Sequence, residues 1–261
     1  MRIELAGQVH VITGAGRGIG LAIATMIAEA GGIPVLVARS EETIEAAAAA
    51  LRARGLSAEA FAADIGDEAR CTALVKHVVD SQGRLDGIIN NAATNTVGNL
   101  VMSKEKDWRA VFDINVFALM RLTKLCMRPM IRAKSGRVVN ISSVAGKIGA
   151  AYTSAYAASK GAVDAFTRSV AREVGKIGIT ANAVCPWHVD TEHLRAGMGK
   201  RAKLFGKTTE EYMAEIAATN PQQRILDPEE VAATVVFLLS NYARGINGQA
   251  LNVCGGMVMG V

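Results

Sequence analysis

Hydrophobic positions along the chain follow two alternating rhythms. Short runs that are apolar at nearly every position alternate with longer segments in which apolar residues return every three or four positions. The first run, over residues 8–13, carries Val9, Val11 and Ile12 and ends in a cluster of glycines. Ile19, Ala22, Ile23, Met26, Ile27 and Ala30 then follow at helical spacing up to a Gly31-Gly32 stop. The first rhythm predicts a strand buried on both faces, the second an amphipathic helix. Further strands are predicted over residues 33–38, 58–63, 85–89, 136–141, 178–184 and 249–253. Helices are predicted over residues 40–54, 67–82, 108–130, 155–176, 209–217 and 228–239. Nearly continuous apolar strands separated by helices indicate a parallel sheet covered on both faces. The expected fold is α/β: one Rossmann-type, doubly wound domain over residues 1–261 with a seven-stranded parallel sheet.

In such sheets ligands collect beyond the carboxyl ends of the strands, so the residues there carry the candidate chemistry. Gly14-Ala15-Gly16-Arg17-Gly18-Ile19-Gly20 joins the first strand to its helix. Glycine lets the backbone approach a pyrophosphate, and the helix N-terminus offers free N–H groups and a positive dipole end. The spacing is G-x-x-x-G-x-G, not G-x-G-x-x-G, because Ile occupies position 19. The second strand ends at Ala38-Arg39, and Ser40 caps the next helix with Glu41 and Glu42 in its first turn. An NAD site places a carboxylate at this strand tip, an NADP site a cation. Arg17 and Arg39, with no acid beside them, point to NADP(H) over NAD(H); a solvated helix flank is the plain alternative for Arg39. The third and fourth strands end at Asp64-Ile65 and at Asn90-Asn91-Ala92-Ala93.

The fifth strand delivers Ser142-Ser143, and Tyr156-Ala157-Ala158-Ser159-Lys160 begins 13 residues after Ser143. Ala155, Ala158, Ala162, Ala165, Phe166 and Val170 recur at helical spacing, so Tyr156 and Lys160 share one helix face. A phenol keeps its proton to about pH 10. An ammonium roughly 4 Å away, at an effective dielectric of about 20, favours phenolate by on the order of 4 kcal/mol, about three pKa units at most. A tyrosine shifted toward neutrality can exchange a proton with an alcohol or ketone oxygen. Asn115 falls inside the helix predicted over 108–130, where asparagine fits poorly. A local i−4 bond would account for it, and so would a kink holding a water beside the site. Residues 188–217 are rich in Met, Lys and Gly with weak periodicity and follow a strand's carboxyl end, which predicts a mobile substrate lid. A surface excursion without gating is the alternative. The apolar tail from Gly255 to Val261 is expected at a subunit contact.

Composition narrows the function class. Half of the residues are hydrophobic (50%) and 20% are charged, ample for a large core. The net charge is +5, but Lys and Arg are interleaved with acids, and without a basic stripe no nucleic acid is expected. Cys71, Cys126, Cys185 and Cys254 are scattered singly, as buried hydrophobes of a reducing compartment, and His10, His77, His188 and His193 form no metal pattern. The segment Met1-Arg2-Ile3-Glu4-Leu5 lacks the apolar region of a signal peptide, and no apolar run approaches about 18 residues. A cytoplasmic protein with no membrane segment and no metal is expected.

Over essentially its whole length the chain resembles the short-chain dehydrogenase/reductase family. The run from Thr13 to Gly20 is similar to the family's T-G-x-x-x-G-x-G turn, Asp64 to its adenine-side aspartate, and Asn90-Asn91-Ala92 to its N-N-A motif. Asn115, Ser143, Tyr156 and Lys160 fall where the family's Asn-Ser-Tyr-Lys tetrad falls, and Pro186, Val189 and Thr191 are similar to its P-G-x-V-x-T stretch. The resemblance implies that Tyr156 is the acid/base and that Lys160 lowers its pKa while binding the nicotinamide ribose. It implies that Ser143 holds the substrate oxygen and that Asn115 anchors a water relay. Cofactor contacts are implied for Gly14, Arg17, Gly18, Ile19, Gly20, Arg39, Ser40, Asp64, Ile65, Asn91 and Ala92, with Val189 and Thr191 at the nicotinamide carboxamide. A homotetramer or homodimer, pairing the helices of Asn115 and Tyr156, is also implied.

Two positions depart from the family pattern. Ala93 replaces a glycine after Asn-Asn-Ala, adding one methyl near the cofactor. Trp187 replaces the glycine after Pro186 and sets a large aromatic beside the nicotinamide and substrate pocket. The nearest subfamilies are the 3-oxoacyl-carrier-protein reductases and polyketide ketoreductases, which share the ending from Gly248 to Gly256. Of the basic pair that docks an acyl carrier protein in the fatty-acid members, Arg128 is kept, and the second position holds Ile177 with Lys176 beside it. The expected activity is NADPH-dependent reduction of a ketone, with a 3-oxoacyl thioester as leading substrate. The alternatives are a dehydrogenase oxidising a small or cyclic secondary alcohol and a non-catalytic cofactor-binding regulator.

Overall fold

Strands and helices alternate from end to end, as the two rhythms predict. The elements are β1 (Val9–Thr13), α1 (Gly18–Glu29), β2 (Ile33–Ala38), α2 (Glu41–Ala53), β3 (Glu59–Ala62), α3 (Glu68–Gln82) and β4 (Gly87–Asn90). They continue with α4 (Glu105–Phe112), α5 (Leu119–Ala133), β5 (Gly136–Ile141), α6 (Ala145–Ile148), α7 (Ser154–Val174), β6 (Ile179–Pro186), α8 (Glu192–Leu204), α9 (Thr209–Thr219), α10 (Pro228–Leu239) and β7 (Ala250–Val253). The computed structural model describes residues 3–259; Met1 and Arg2 of the N-terminal segment, and Gly260 and Val261 of the apolar tail, lie outside the described residues.

The strands form one seven-stranded sheet in the order β3-β2-β1-β4-β5-β6-β7, and every pairing is parallel. The order reverses between β1 and β4, which opens a crevice at their carboxyl ends. Successive residues of β1 serve opposite faces. Val9 and Val11 pack with Leu74, Val78, Leu122 and Met130, while Ile12 packs with Ile23, Ile27, Val235 and Leu239. Burying each such side chain contributes roughly 1.5–3 kcal/mol, which is why the strand reads as largely apolar sequence around His10 and Thr13. A polar seam crosses the interior below the site. Asn90 Nδ2 donates to Thr123 Oγ1 (2.9 Å) and to Asn140 Oδ1 (2.8 Å), and Asn140 Nδ2 donates to Thr167 Oγ1 (2.8 Å), tying β4 and β5 to α5 and α7.

Four features add to the expected picture. The helix predicted over 108–130 is α4 and α5 joined by a π-helical turn, Asp113–Ala118, around Asn115. Residues 192–204, whose periodicity is weak, form the regular helix α8 with Thr191 as its cap. The inward face of α7 is half polar. Ser159, Lys160, Val163, Asp164, Thr167, Val170, Ala171 and Val174 face inward, while Ala158 and Ala165 are exposed. Finally, in the tail expected at a subunit contact, Val258 packs with Val144, Cys185 and Cys254, residues 255–257 are half-buried and Met259 is exposed. No helix among the described residues is long and apolar enough to cross a membrane.

His10 lies opposite Gly87, where a Cβ would come within 2.4 Å of its Nδ1, so the ring fills space that residue 87 leaves. It is fully buried, and neither ring nitrogen has a hydrogen-bond partner among the described residues. Burial pushes its pKa down from 6.5 to about 4, with Asp86 pulling the other way. A histidine with a depressed folded pKa takes its proton more readily when unfolded. Stability therefore falls as pH drops through the window from 6.5 to about 4, by about 3 kcal/mol in all. Urea midpoints should fall across this window, and fall less in His10→Gln. Equal pH slopes for the two proteins would contradict this account.

Candidate active site

The turn from β1 into α1 is built for close approach. Gly14 has φ of +66°, and a Cβ there would lie 3.0 Å from the Ala92 Cα; a Cβ on Gly20 would lie 2.3 Å from the Gly14 carbonyl oxygen. Thr13 Oγ1 accepts from the Asn91 and Ala92 N–H groups, both at 3.0 Å. Asn91 Nδ2 in turn donates to the carbonyls of Thr13 (2.9 Å) and Gly14 (3.1 Å). Both amide hydrogens of Asn91 are thus spent on bracing the turn against β4. The helix that follows has no side-chain cap at Arg17, whereas α2 and α3 are capped by Ser40 and Asp67. A glycine cradle over an uncapped N-terminus fits a pyrophosphate.

The rim of this crevice holds the other residues predicted on the cofactor side. Arg39 is exposed and makes no hydrogen bond or ion pair among the described residues, while Ser40 is engaged with Thr43. Asp64 is exposed and accepts from the Gly66 N–H through Oδ1 (2.8 Å), and Ile65 is buried in the core. Arg17 Nη1 donates to Glu192 Oε2, at the start of α8, at 2.8 Å. Val189 is buried and bridged to Leu226. The Thr191 methyl packs where a Cβ on Gly18 would lie 3.0 Å away, so the root of α8 rests on the glycine turn.

Across the crevice stand Ser143, Tyr156 and Lys160. Lys160 is 3% exposed, and its Nζ donates to the Ile141 carbonyl at 2.7 Å and sits 5.6 Å from the centre of the Tyr156 ring. Burial pushes the Tyr156 phenol up, while the facing Ser143 hydroxyl holds it down. This reverses the direction expected from Lys160. The ammonium is aimed at the strand carbonyl, and burial lowers its own pKa to about 8. Ser143 Oγ accepts from the Ala145 N–H (3.1 Å) and is a long 3.5 Å from the Pro186 carbonyl, which leaves its proton weakly held.

Asn115 makes no i−4 bond. Its Oδ1 accepts from the Thr94 N–H (2.8 Å), and its Nδ2 donates to the Thr94 carbonyl (2.9 Å) and to Ser159 Oγ (3.0 Å). Ser159 Oγ then donates to the Tyr156 carbonyl at 2.7 Å. The irregular helix therefore pins the loop after β4 to the helix of Tyr156, a use of π-helical turns that recurs at functional sites.

Residues 188–217 lie over this arrangement. Arg201 reaches the Ala151 carbonyl (3.3 Å) and Thr153 Oγ1 (3.4 Å), and Phe205 meets Tyr152 edge-on with ring centres 6.0 Å apart. A cavity of about 140 Å³ opens beside Ala155, between Val97, Met102, Trp108 and Tyr152. Trp187 is half-buried, packs on the cluster that receives Val258, and stacks obliquely on His188 at 4.4 Å. Burial and Arg201 push His188 down to about 4, and His193 is lowered too, so both histidines are neutral near pH 7. Three residues of the site escape a reading by apolar period: Tyr152, Glu192 and the buried Asp164. Asp164 had a legible signal, an acid one helical turn beyond Lys160.

Residues 8–201 match the short chain dehydrogenase family, and the chain belongs to it. Over 257 residues it is 35% identical to the 3-oxoacyl-(acyl-carrier-protein) reductase FabG of Vibrio cholerae, covering 98% of this chain and 100% of that protein. It superposes on a crystal structure of an actinorhodin polyketide ketoreductase variant with NADPH at TM-score 0.93 and 34% identity, over 96% of this chain and 97% of the other. An NAD+-bound xylitol dehydrogenase superposes at TM-score 0.92 and 30% identity, over 96% and 99% of the two chains.

If Asn91 braces the glycine turn, Asn91→Ala should lose about 2 kcal/mol of stability, roughly 1 kcal/mol for each bond removed. Denaturant unfolding measures this, and a loss under about 0.5 kcal/mol would show that the two bonds do not hold the turn.

Proposed function

We propose that the protein reduces a ketone to a secondary alcohol with NADPH, and that the ketone of a 3-oxoacyl thioester is its substrate class. The observation that carries this reading is the meeting of Ser143, Tyr156 and Lys160 opposite an uncapped glycine cradle. In the cradle, Gly14, Gly18, Ile19 and Gly20 with the first turn of α1 would take the pyrophosphate, and Arg17 and Arg39 the 2′-phosphate. Asp64 and Ile65 would border the adenine, Ala92 and the Asn91 brace would shape the floor, and Val189 and Thr191 would hold the carboxamide. When bound, NADPH supplies a hydride. Lys160 Nζ keeps two donors beyond its bond to Ile141, enough for ribose hydroxyls. Ser143 would donate to the substrate oxygen, and Tyr156 Oη would give that oxygen its proton as negative charge develops. A phenol pushed up by burial holds its proton at neutral pH, as an acid in the reductive direction must. Both amide hydrogens of Asn115 are taken, so a water relay there would rest on backbone carbonyls of the π-helical turn.

The names of the relatives support the substrate class, and the NADPH of the ketoreductase structure supports the cofactor. The xylitol dehydrogenase, with NAD+, supports the alternative of oxidation of a secondary alcohol at the same site. The strand tip favours the first. The Arg17–Glu192 pair is exposed on both sides and contributes at most about 1 kcal/mol, so it yields to a phosphate dianion. For a carrier-linked substrate, Arg128 and Lys176 are exposed, whereas Ile177 packs against the core. Exposed Phe117, Met120, Ala158 and Ala165 on the helices of Asn115 and Tyr156 support a homotetramer or homodimer, and residues 188–217 act as a lid.

Tyr156→Phe should abolish ketone reduction while leaving NADPH binding nearly intact, because only the transferable proton is removed. Retention of more than about a tenth of kcat, a barrier change under ~1.4 kcal/mol, would exclude Tyr156 as the acid.

Cofactor choice tests the rim. Charge-assisted bonds from guanidinium to phosphate contribute roughly 1.5–3 kcal/mol each, so NADPH should exceed NADH by about 10- to 1,000-fold in kcat/KM, less at high salt. Ala38→Asp with Arg39→Ser should reverse the preference. Equal values for the two cofactors in the unmodified protein would leave both arginines as surface charge.

A further inference from the structure

Helix α7 buries a carboxylate that the reaction described above does not use. Asp164 is 4% exposed and follows Lys160, itself 3% exposed, by one helical turn on the same inward face. A carboxylate out of water costs several kcal/mol unless charge and hydrogen bonds offset it. Cys185 Sγ on β6 donates to Asp164 Oδ1 at 3.9 Å. The Ser142 hydroxyl, which donates to the Lys160 carbonyl at 3.2 Å, lies within reach of Asp164 as well. The cations that act on Asp164 are Lys147 on α6 and Arg168 and Lys160 on α7. Around Lys160 stand Tyr156 and Asp164 on its own helix, Cys185 on β6 and His193 on α8. Burial pushes the Cys185 thiol up to about 12, so it is neutral, and His193 is neutral near pH 7. Burial pushes the Asp164 carboxyl up as well, and the Ser142 hydroxyl with the Lys147, Arg168 and Lys160 charges holds it down, which leaves Asp164, among the described residues, as the acid one helical turn from Lys160 on the same buried face.

We propose that Asp164 is a positioning residue for the reaction: its buried carboxylate is the fixed counter-charge that keeps Lys160 Nζ an ammonium beside Tyr156. The inference rests on the roles of Tyr156 and Lys160 given above. Burial drives the Lys160 pKa down and Asp164 opposes that shift. Without Asp164 the ammonium would be lost at lower pH, and the proton relay from Tyr156 with it. Lys160 meets Tyr156 on one turn of α7 and Asp164 on the next.

The test is the pH dependence of kcat/KM for ketone reduction by the full-length enzyme and two variants. Asp164→Asn keeps shape and hydrogen bonding and removes the charge; Asp164→Glu keeps the charge. In Asp164→Asn the basic limb should move about one unit to lower pH, so that activity falls about tenfold at pH 8.5 while staying within about twofold at pH 6. Asp164→Glu should retain the original limb. Loss by the same factor at every pH would assign Asp164 a purely structural role, and no change at any pH would show its charge to be irrelevant; either overturns the proposal. Should the neutral variant fail to fold, lysine Cε NMR of the unmodified enzyme decides, because Lys160 should remain protonated at pH 7 and a neutral amine there contradicts the counter-charge. Failure of the underlying reading is separate, since it would appear as turnover by Tyr156→Phe.

Discussion

An ammonium buried at the end of a strand is the constraint to which the rest of this site is fitted. Lys160 gives one hydrogen bond to the Ile141 carbonyl, the last of β5, at 2.7 Å. That bond fixes where α7 lies along the sheet, and with it the position of Tyr156 one turn earlier. Ser142 fastens the same turn through the Lys160 carbonyl, and the Asn140–Thr167 bond fastens the helix two turns later. The charge itself is unfavourable in this setting, as the lowered Lys160 pKa records. Such a residue persists where its charge is met by buried partners and its spare donors face a ligand.

The two halves of the crevice are joined by a second set of polar contacts. Thr13 and Asn91 lock the glycine turn to the end of β4, and Asn90, beside Asn91, enters the seam that reaches α7 through Asn140. Asn115 closes the circuit from the loop after β4 back to Ser159 on α7. The cradle and the Tyr156 proton are therefore positioned by one continuous network across the reversal in strand order. Apolar packing supplies the sheet and its two cores, but the relative placement of donors across the crevice comes from these asparagines and threonines.

This division explains what was legible in the sequence. The inner strands are buried and largely apolar and the edge strands β3 and β7 are half-buried, so the seven strands, their order of appearance and the residues at their carboxyl ends could be read directly. The glycine turn and the Tyr156–Lys160 pair were legible because spacing alone sets their geometry. The inward face of α7 was not, because half of it is polar, lined with Ser159, Lys160, Asp164 and Thr167. The direction of the Tyr156 pKa was missed for a related reason: spacing gives the nearness of an ammonium but not its aim, nor the burial that dominates. Helix α8 escaped because it has few inward apolar residues of its own, Met198 and Ala202, and is marked at its start by the Thr191 cap, whose methyl rests on the glycine turn.

The central claim is that a hydride from NADPH and a proton from this network arrive at the two atoms of one carbonyl. The most direct measurement is the fate of label when the protein is given a 3-oxoacyl thioester and NADPH deuterated at the transferring carbon. The account predicts a 3-hydroxyacyl product with one deuterium on the carbinol carbon and none in solvent, and no such product from Lys160→Met. An unlabelled alcohol, label lost to water, or labelled product from the Lys160→Met protein would contradict it.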